Sequence, residues 1–256
     1  MKYIIGVIKL IIFILYAACI IVISPFMWGF MWLCWRKKPE VQDRFVQKFI
    51  KSVFRFVNGL VGVTIVAKGV ENIPTDESVV YIGNHKSYFD ILVSYLYFPN
   101  PTGFLAKQEM KRIPVIYRWM RYVKCLFINR ADVKEGLKTI LEAIDQVKNG
   151  TSLMIFPEGT RVRTEEMLPF HEGSFKVATK SGHKIVPVTL MNTAEVFEAH
   201  MPTFRKTKVL VEFGKPIVVS ELEPEQKKFL GAYVQGIIKD TMAKNQEEAK
   251  ALLMEK

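Results

Sequence analysis

The chain reads as an α/β protein, a mixed, partly parallel sheet flanked by helices, with an apolar, membrane-associated helical segment at its N-terminus. Three observations lead there. From residue 64 onward, apolar runs of strand length alternate with stretches of helical periodicity. Between Leu10 and Trp35 no residue is charged. Two polar segments, 84–90 and 156–161, each follow directly on an apolar run, where an α/β sheet opens its strand ends to a site.

The N-terminal run is bounded by Lys9 on one side and by Arg36, Lys37 and Lys38 on the other. At about 1.5 Å per residue it is long enough to cross a hydrocarbon core of about 30 Å. Ser24-Pro25 divides it, and Trp28, Trp32 and Trp35 give its second half an interfacial character. A single kinked span, a pair of short helices entering and leaving one leaflet, and a cleaved signal peptide all remain open; the length of the run speaks against the last. Next, Phe45, Phe49, Val53 and Val57 recur at helical spacing, with Arg44, Lys48, Lys51 and Arg55 on another face. That pattern fits a basic helix on an anionic membrane and equally a helix packed on the domain with a solvated basic face.

Strands are expected at 64–68, 79–83, 103–107, 124–128, 153–156, 185–190 and 208–213. Helices are expected around 88–97, 115–122, 133–148 and 174–180. Asn149-Gly150 and Ser181-Gly182 mark helix ends, and Pro224 among Glu221, Glu223 and Glu225 suits the first turn of a helix running to about residue 244. Pro187, inside an apolar run, implies a bulge or an edge position. The charged tail is expected to fray.

Half of the 256 residues are hydrophobic, and the formal charge is +11. The charge implies an anionic partner. Nucleic acid is disfavoured, because the basic residues interleave with long apolar stretches and no zinc-finger, RNA-recognition or basic-zipper pattern occurs. Cys19 and Cys34 lie in the apolar segment and Cys125 in an expected strand, so no disulfide framework is legible; the reading is a membrane protein whose domain faces the reducing cytoplasm.

The segment 84–90 places His85 five residues before Asp90, a spacing that suits a general base and the carboxylate that orients it. Ser87 to Asp90 is also a helix capping box, and one acid cannot serve both roles at full strength; the pairing with His85 is favoured. In the segment 156–161 a turn glycine stands beside Arg161, which suits an oxyanion or a phosphate.

These residues resemble the glycerolipid acyltransferases, most closely the 1-acylglycerol-3-phosphate acyltransferases. His85 to Asp90 is similar to the family's His-x-x-x-x-Asp motif. Residues 124–130, 156–161 and 186–188 match its other three motifs in order and spacing. A His-x-x-x-x-Asp string alone is weak; four ordered motifs are specific. One departure is Lys124, where the family usually has glycine.

The resemblance spans roughly residues 64 to 190; with the apolar and charged flanks, an acyltransferase domain is expected at 61–245, behind the membrane-associated segment 1–60 and ahead of the charged tail 246–256. The resemblance implies His85 and Asp90 as the catalytic pair. It assigns Lys107, Arg130, Glu158, Gly159, Thr160 and Arg161 to substrate binding. Taken singly, Lys107, Arg130 and Arg161 would each be solvated surface cations; as a set within the family's blocks they are assigned to the lysolipid phosphate. Glu158 is left with two roles, a bond to the glycerol or a grip on Arg161. Cys125 has no base nearby in sequence, and no Gly-x-Ser-x-Gly elbow exists, so direct attack is expected rather than an acyl-enzyme. The partners implied are a lysophospholipid, membrane lipid and an acyl thioester carried by coenzyme A or acyl carrier protein; no cofactor or metal is expected.

Overall fold

The computed structural model describes residues 2–164 and 166–254. The apolar run forms one continuous helix, α1 (Lys2–Trp35), with Pro25 inside it; the expected alternative of two short helices within this run is not what forms. α2 (Pro39–Val61) follows, begun by a proline at its first turn and ended by Gly62 at φ 91°, whose N–H returns to the Asn58 carbonyl at 2.9 Å. α1 is attached to the rest over most of its length. Leu10, Phe13 and Tyr16 pack against the main core, the Lys9 ammonium donates to the Val61 carbonyl at 2.7 Å, and the Trp119 indole donates to Ser24 at 2.6 Å. Trp28 and Met31 join Val46 and Trp119 in a small buried cluster. The opposite face, with Leu15, Val22, Phe26 and Leu33, is exposed.

α2 packs on the domain through Val57, Val61, Ile50 and Phe54 while Arg44, Lys48 and Arg55 stay exposed. The expected basic face is therefore real but incomplete. Lys51 turns inward and donates to the Phe98 carbonyl at 2.6 Å, and burial pulls its ammonium below the ordinary lysine value, with Arg55 adding to the effect.

The domain then alternates as β1 (Val63–Lys68), β2 (Val80–Gly83), α3 (Phe89–Ser94), β3 (Thr102–Lys107), α4 (Pro114–Tyr122), β4 (Leu126–Ile128), α5 (Val133–Lys148), β5 (Ser152–Ile155), α6 (Lys176–Ser181), β6 (Ile185–Met191), β7 (Thr207–Phe213), α7 (Pro224–Lys228), α8 (Leu230–Lys244) and α9 (Gln246–Met254). The strands form a seven-stranded sheet in the order β1-β7-β6-β2-β5-β3-β4. β7 is antiparallel to β6 and every other neighbouring pair is parallel. The expected mixed, partly parallel sheet is thus mostly parallel.

Alternation along the strands sorts the core into two layers. Tyr81, Met154, Val186 and Val188 face α2 and α3; Val80, Ile82, Leu153, Ile155 and Ile185 face α5, α6 and α8. α5 shows how the sequence dictates such a layer. Asp132 caps it by accepting the Lys134 and Glu135 N–H groups, and Ile140, Ala143, Ile144 and Val147 form the buried stripe.

Pro187 lies in a central strand, paired with Ile82 of β2, so an edge position is excluded. The bulge is present: Val188 pairs with Phe213 and Ile185 with Ile217, leaving two residues of β6 opposite three of the returning chain. The expected C-terminal helix is broken at Phe229 into α7 and α8. The tail is also ordered over most of its length: α9 buries Ala249 and its Ala249 carbonyl accepts the Asn192 side-chain amide at 2.7 Å; residues 255 and 256 lie outside the described residues.

Candidate active site

Five parallel strands, β6, β2, β5, β3 and β4, bring their C-terminal ends to one edge of the sheet. His85 follows β2, Glu158 to Arg161 follow β5, Lys107 ends β3 and Arg130 follows β4, so the topology gathers every residue assigned to the site.

The chain leaves β2 through Asn84, which is wholly buried. Its side chain continues the sheet in place of a backbone, donating to the Leu190 carbonyl and accepting the Leu190 N–H, both at 2.8 Å. His85 comes next. Its Nδ1 lies 2.8 Å from Asp90 Oδ2, its ring stacks on Phe156 with centroids 4.1 Å apart, and its side chain retains 15% exposure. Among the described residues nothing bonds to Nε2, so the outer edge of the ring is open to a substrate. A neutral imidazole donating through Nδ1 to the carboxylate presents Nε2 as an acceptor, the form required of a general base.

Asp90 is wholly buried in the first turn of α3. The sequence sets capping against pairing; the structure combines them. Oδ2 accepts His85 Nδ1 together with the N–H groups of Lys86 at 2.7 Å and Ser87 at 2.8 Å. Oδ1 accepts the Thr193 hydroxyl at 2.5 Å. A carboxylate offers about four lone-pair sites, which is why one acid suffices for both roles.

The 156–162 loop grips the histidine through its main chain. Glu158, 3% exposed, accepts the His85 N–H at 2.7 Å through one oxygen and the Leu168 N–H at 3.0 Å through the other; Val162 donates its N–H to the His85 carbonyl at 2.8 Å. Each oxygen of Glu158 thus accepts one backbone N–H, and among the described residues the carboxylate that meets Arg161 is Glu198, not Glu158. Burial pushes the Glu158 carboxyl above the ordinary glutamate value, opposed by the two N–H bonds and by the charges of His85 and Lys86.

Gly159 takes φ 74°, which a side chain would strain, and a Cβ there would come within 1.6 Å of Arg130 Nη1. Arg130 thus rests on the bare glycine. Burial lowers its guanidinium from the ordinary value, while Glu109 opposes this, and it remains a cation. Thr160 follows in the same turn. Arg161 stacks on Tyr88, its guanidinium carbon 3.6 Å from the ring centroid, and reaches Tyr88 Oη at 2.9 Å and Glu198 at 3.4 Å. Its acidic neighbour is Glu198, which also accepts the Ser87 hydroxyl and the Tyr88 N–H, each at 2.8 Å. Lys107 stands exposed at the same sheet edge.

Cys125 is buried and its thiol is pushed up to about 12 by burial, which leaves it protonated and unreactive. Lys124, at the departure from the family pattern, adopts φ 65°, the left-handed conformation that glycine takes freely. Its carbonyl oxygen also packs on Gly103, where a Cβ would come to 2.1 Å.

The arrangement is a half-buried histidine paired with a wholly buried aspartate at the carboxyl edge of an α/β sheet. The family model described as Acyltransferase matches residues 64–191. The chain belongs to the acyltransferase family. It is 34% identical over 191 residues to the 1-acyl-sn-glycerol-3-phosphate acyltransferase of Borreliella burgdorferi, with 75% of each chain covered. To the enzyme of that name from Saccharomyces cerevisiae it is 31% identical over 170 residues, covering 65% of this chain and 56% of the yeast one. The crystal structure of the 1-acyl-sn-glycerophosphate acyltransferase PlsC from Thermotoga maritima superposes with a TM-score of 0.82 at 26% identity, covering 96% of this chain and 98% of that one.

Proposed function

We propose that this acyltransferase moves an acyl chain from an acyl thioester to the sn-2 hydroxyl of 1-acylglycerol 3-phosphate, giving phosphatidic acid. The observation that carries the chemistry is the 2.8 Å contact between His85 Nδ1 and Asp90 Oδ2 beside an open Nε2. An alcohol is a weak nucleophile at neutral pH, whereas a thioester carries a good leaving group. His85 Nε2 takes the hydroxyl proton as the oxygen attacks the thioester carbonyl. The new C–O bond forms, the C–S bond breaks, and the departing thiolate takes the proton back from the imidazolium. Asp90 steadies the transient positive charge on the ring.

The acceptor assignment is supported by the names of the relatives and by Lys107, Arg130 and Arg161 at the site edge. A phosphate drawn from water into this edge needs paired cationic donors. Arg161 is held on Tyr88 and keeps only a long, 3.4 Å contact with Glu198, which leaves donors of its guanidinium for a phosphate.

Attachment to the membrane is assigned to α1. A helix fixed to its own domain from Lys9 to Met31 presents only its other side to lipid, which suits a helix lying in one leaflet better than one crossing two.

The test is a mass-spectrometric assay of the purified protein with a panel of acceptors and with both coenzyme A and acyl-carrier-protein thioesters. A kcat/KM for 1-acylglycerol 3-phosphate well above that for monoacylglycerol or lysophosphatidylcholine supports the assignment. Preference for a phosphate-free or zwitterionic acceptor would move the protein to another lipid acyltransferase with the same His85 chemistry.

A further inference from the structure

The catalytic pair has a further buried partner, one outside all four motifs. β6 ends at Met191, and Asn192 turns the chain through φ 65°. That strained turn is held by the Asn192 side-chain amide, which donates to the Ala249 carbonyl at 2.7 Å and the Lys208 carbonyl at 3.3 Å. The turn delivers Thr193, 1% exposed, directly under α3, where its hydroxyl donates to Asp90 Oδ1 at 2.5 Å. Among the described residues Thr193 is the only group bonded to that oxygen, whereas Oδ2 has three donors.

We propose that Thr193 is a positioning residue of the acyl-transfer reaction, fixing the Asp90 carboxylate so that Oδ2 stays in line with His85 Nδ1. The physical reason is rotation. Turning the carboxylate about its Cβ–Cγ bond moves both oxygens together and carries Oδ2 off the axis of the imidazole N–H, and the donors on Oδ2 resist this from one side only. The Thr193 bond holds the opposite oxygen and narrows the remaining rotation, and the wholly buried setting keeps water from substituting for the hydroxyl. The effect falls on the step in which the imidazolium forms, because only there does the ring carry the charge that Asp90 steadies. Substrate binding, which takes place on the Arg130 and Arg161 side, is untouched.

The inference rests on the reading of His85 as the base, and the two fail separately. The experiment measures kcat and both KM values for Thr193→Val, Thr193→Ala and Thr193→Ser, with melting curves to establish the folded fraction. Valine keeps the shape and removes the hydroxyl; serine keeps the hydroxyl and removes the methyl. The expected result is a kcat lowered roughly 10- to 100-fold in Thr193→Val, the range set by loss of a hydrogen bond to a charged group. Both KM values should stay within about twofold, and Thr193→Ser should remain within about threefold of wild type. Thr193→Ala, which introduces no new contact, gives the same reading if the valine variant does not fold. Near wild-type kcat in the folded valine or alanine variant, equal losses for serine and valine, or a loss confined to KM would overturn the proposal. If His85→Ala is inactive while Thr193→Val turns over normally, only the role of Thr193 falls; if His85→Ala turns over normally, the base assignment falls first.

Discussion

Glu158 accepts the main-chain N–H of His85 at 2.7 Å, so the third motif serves to hold the first. With Val162 donating to the carbonyl of the same residue, the His85 peptide is gripped on both sides by one loop. The histidine thus has its ring set by Asp90 and its backbone set by Glu158, from two different strand ends.

Removing that grip should cost both stability and rate. Glu158→Ala leaves two N–H groups without their acceptor, and a loss of about 2–4 kcal/mol in unfolding free energy is expected. Glu158→Gln retains an acceptor for one of them and should lose less. The pH dependence has a definite sign. Because burial raises this carboxyl, the native state holds the proton more tightly than the unfolded chain. Between the ordinary glutamate value and the raised one, this group's contribution to stability therefore declines as pH rises. Glu158→Gln should flatten that part of the profile. Melting curves of both proteins from pH 4 to 8 measure it, and parallel profiles would show that Glu158 does not titrate in this range.

Gly159 and Arg130 form a second dependent pair. Gly159→Ala adds backbone strain of about 1 kcal/mol at φ 74° and pushes the guanidinium from its seat. A fall in kcat/KM for 1-acylglycerol 3-phosphate of roughly tenfold or more is expected, in the range of one hydrogen bond to a charged group. In an Arg130→Ala background the same glycine substitution should add little. Full additivity in this double-mutant cycle would show that the two act independently.

The exposed face of α1 is testable without disturbing its packed face. Val22 and Phe26 are 66% and 76% exposed, so Val22→Glu with Phe26→Glu should leave the fold intact. Retention on neutral liposomes in high salt should drop several-fold, because carboxylates do not enter the acyl region cheaply. Weak binding to anionic vesicles through Arg44, Lys48 and Arg55 should survive only at low salt, where exposed charges are not screened. Unchanged binding of the folded double variant in high salt would place the membrane contact elsewhere.

Much of the fold was legible because its signals are local. Strand-length apolar runs, the Gly150 and Gly182 helix stops and the helical periodicity over 133–148 each act within a few residues. The His85–Asp90 pair was legible for the same reason, since five residues across a strand–helix turn already place ring and carboxylate together. What stayed hidden depends on distant partners. That Glu158 holds the backbone of His85 and Leu168 depends on residues 73 and 10 positions away and has no local signal. Glu198 and Thr193 lie in a stretch of short 3-10 turns with no periodicity, and only the sheet order β6-β2 brings them beneath α3. Asn84 gave a signal that was available: a polar side chain directly after a buried strand has to satisfy its amide, and here it does so on Leu190. Lys124 shows the reverse case. The glycine usual in the family points to a left-handed residue, and Lys124 occupies that conformation at φ 65°, its ammonium paired with Asp43 at 2.9 Å.

The most direct measurement of the mechanism is single-turnover acyl transfer by His85→Ala, with melting curves establishing that the variant is folded. His85 Nε2 is the assigned base, so the rate should fall roughly 10²- to 10⁴-fold while acceptor binding is retained. Asp90→Asn should also slow the reaction, because it loses the charge that steadies the imidazolium. Near wild-type acyl transfer by folded His85→Ala would contradict the assignment and require another group at this sheet edge to accept the proton.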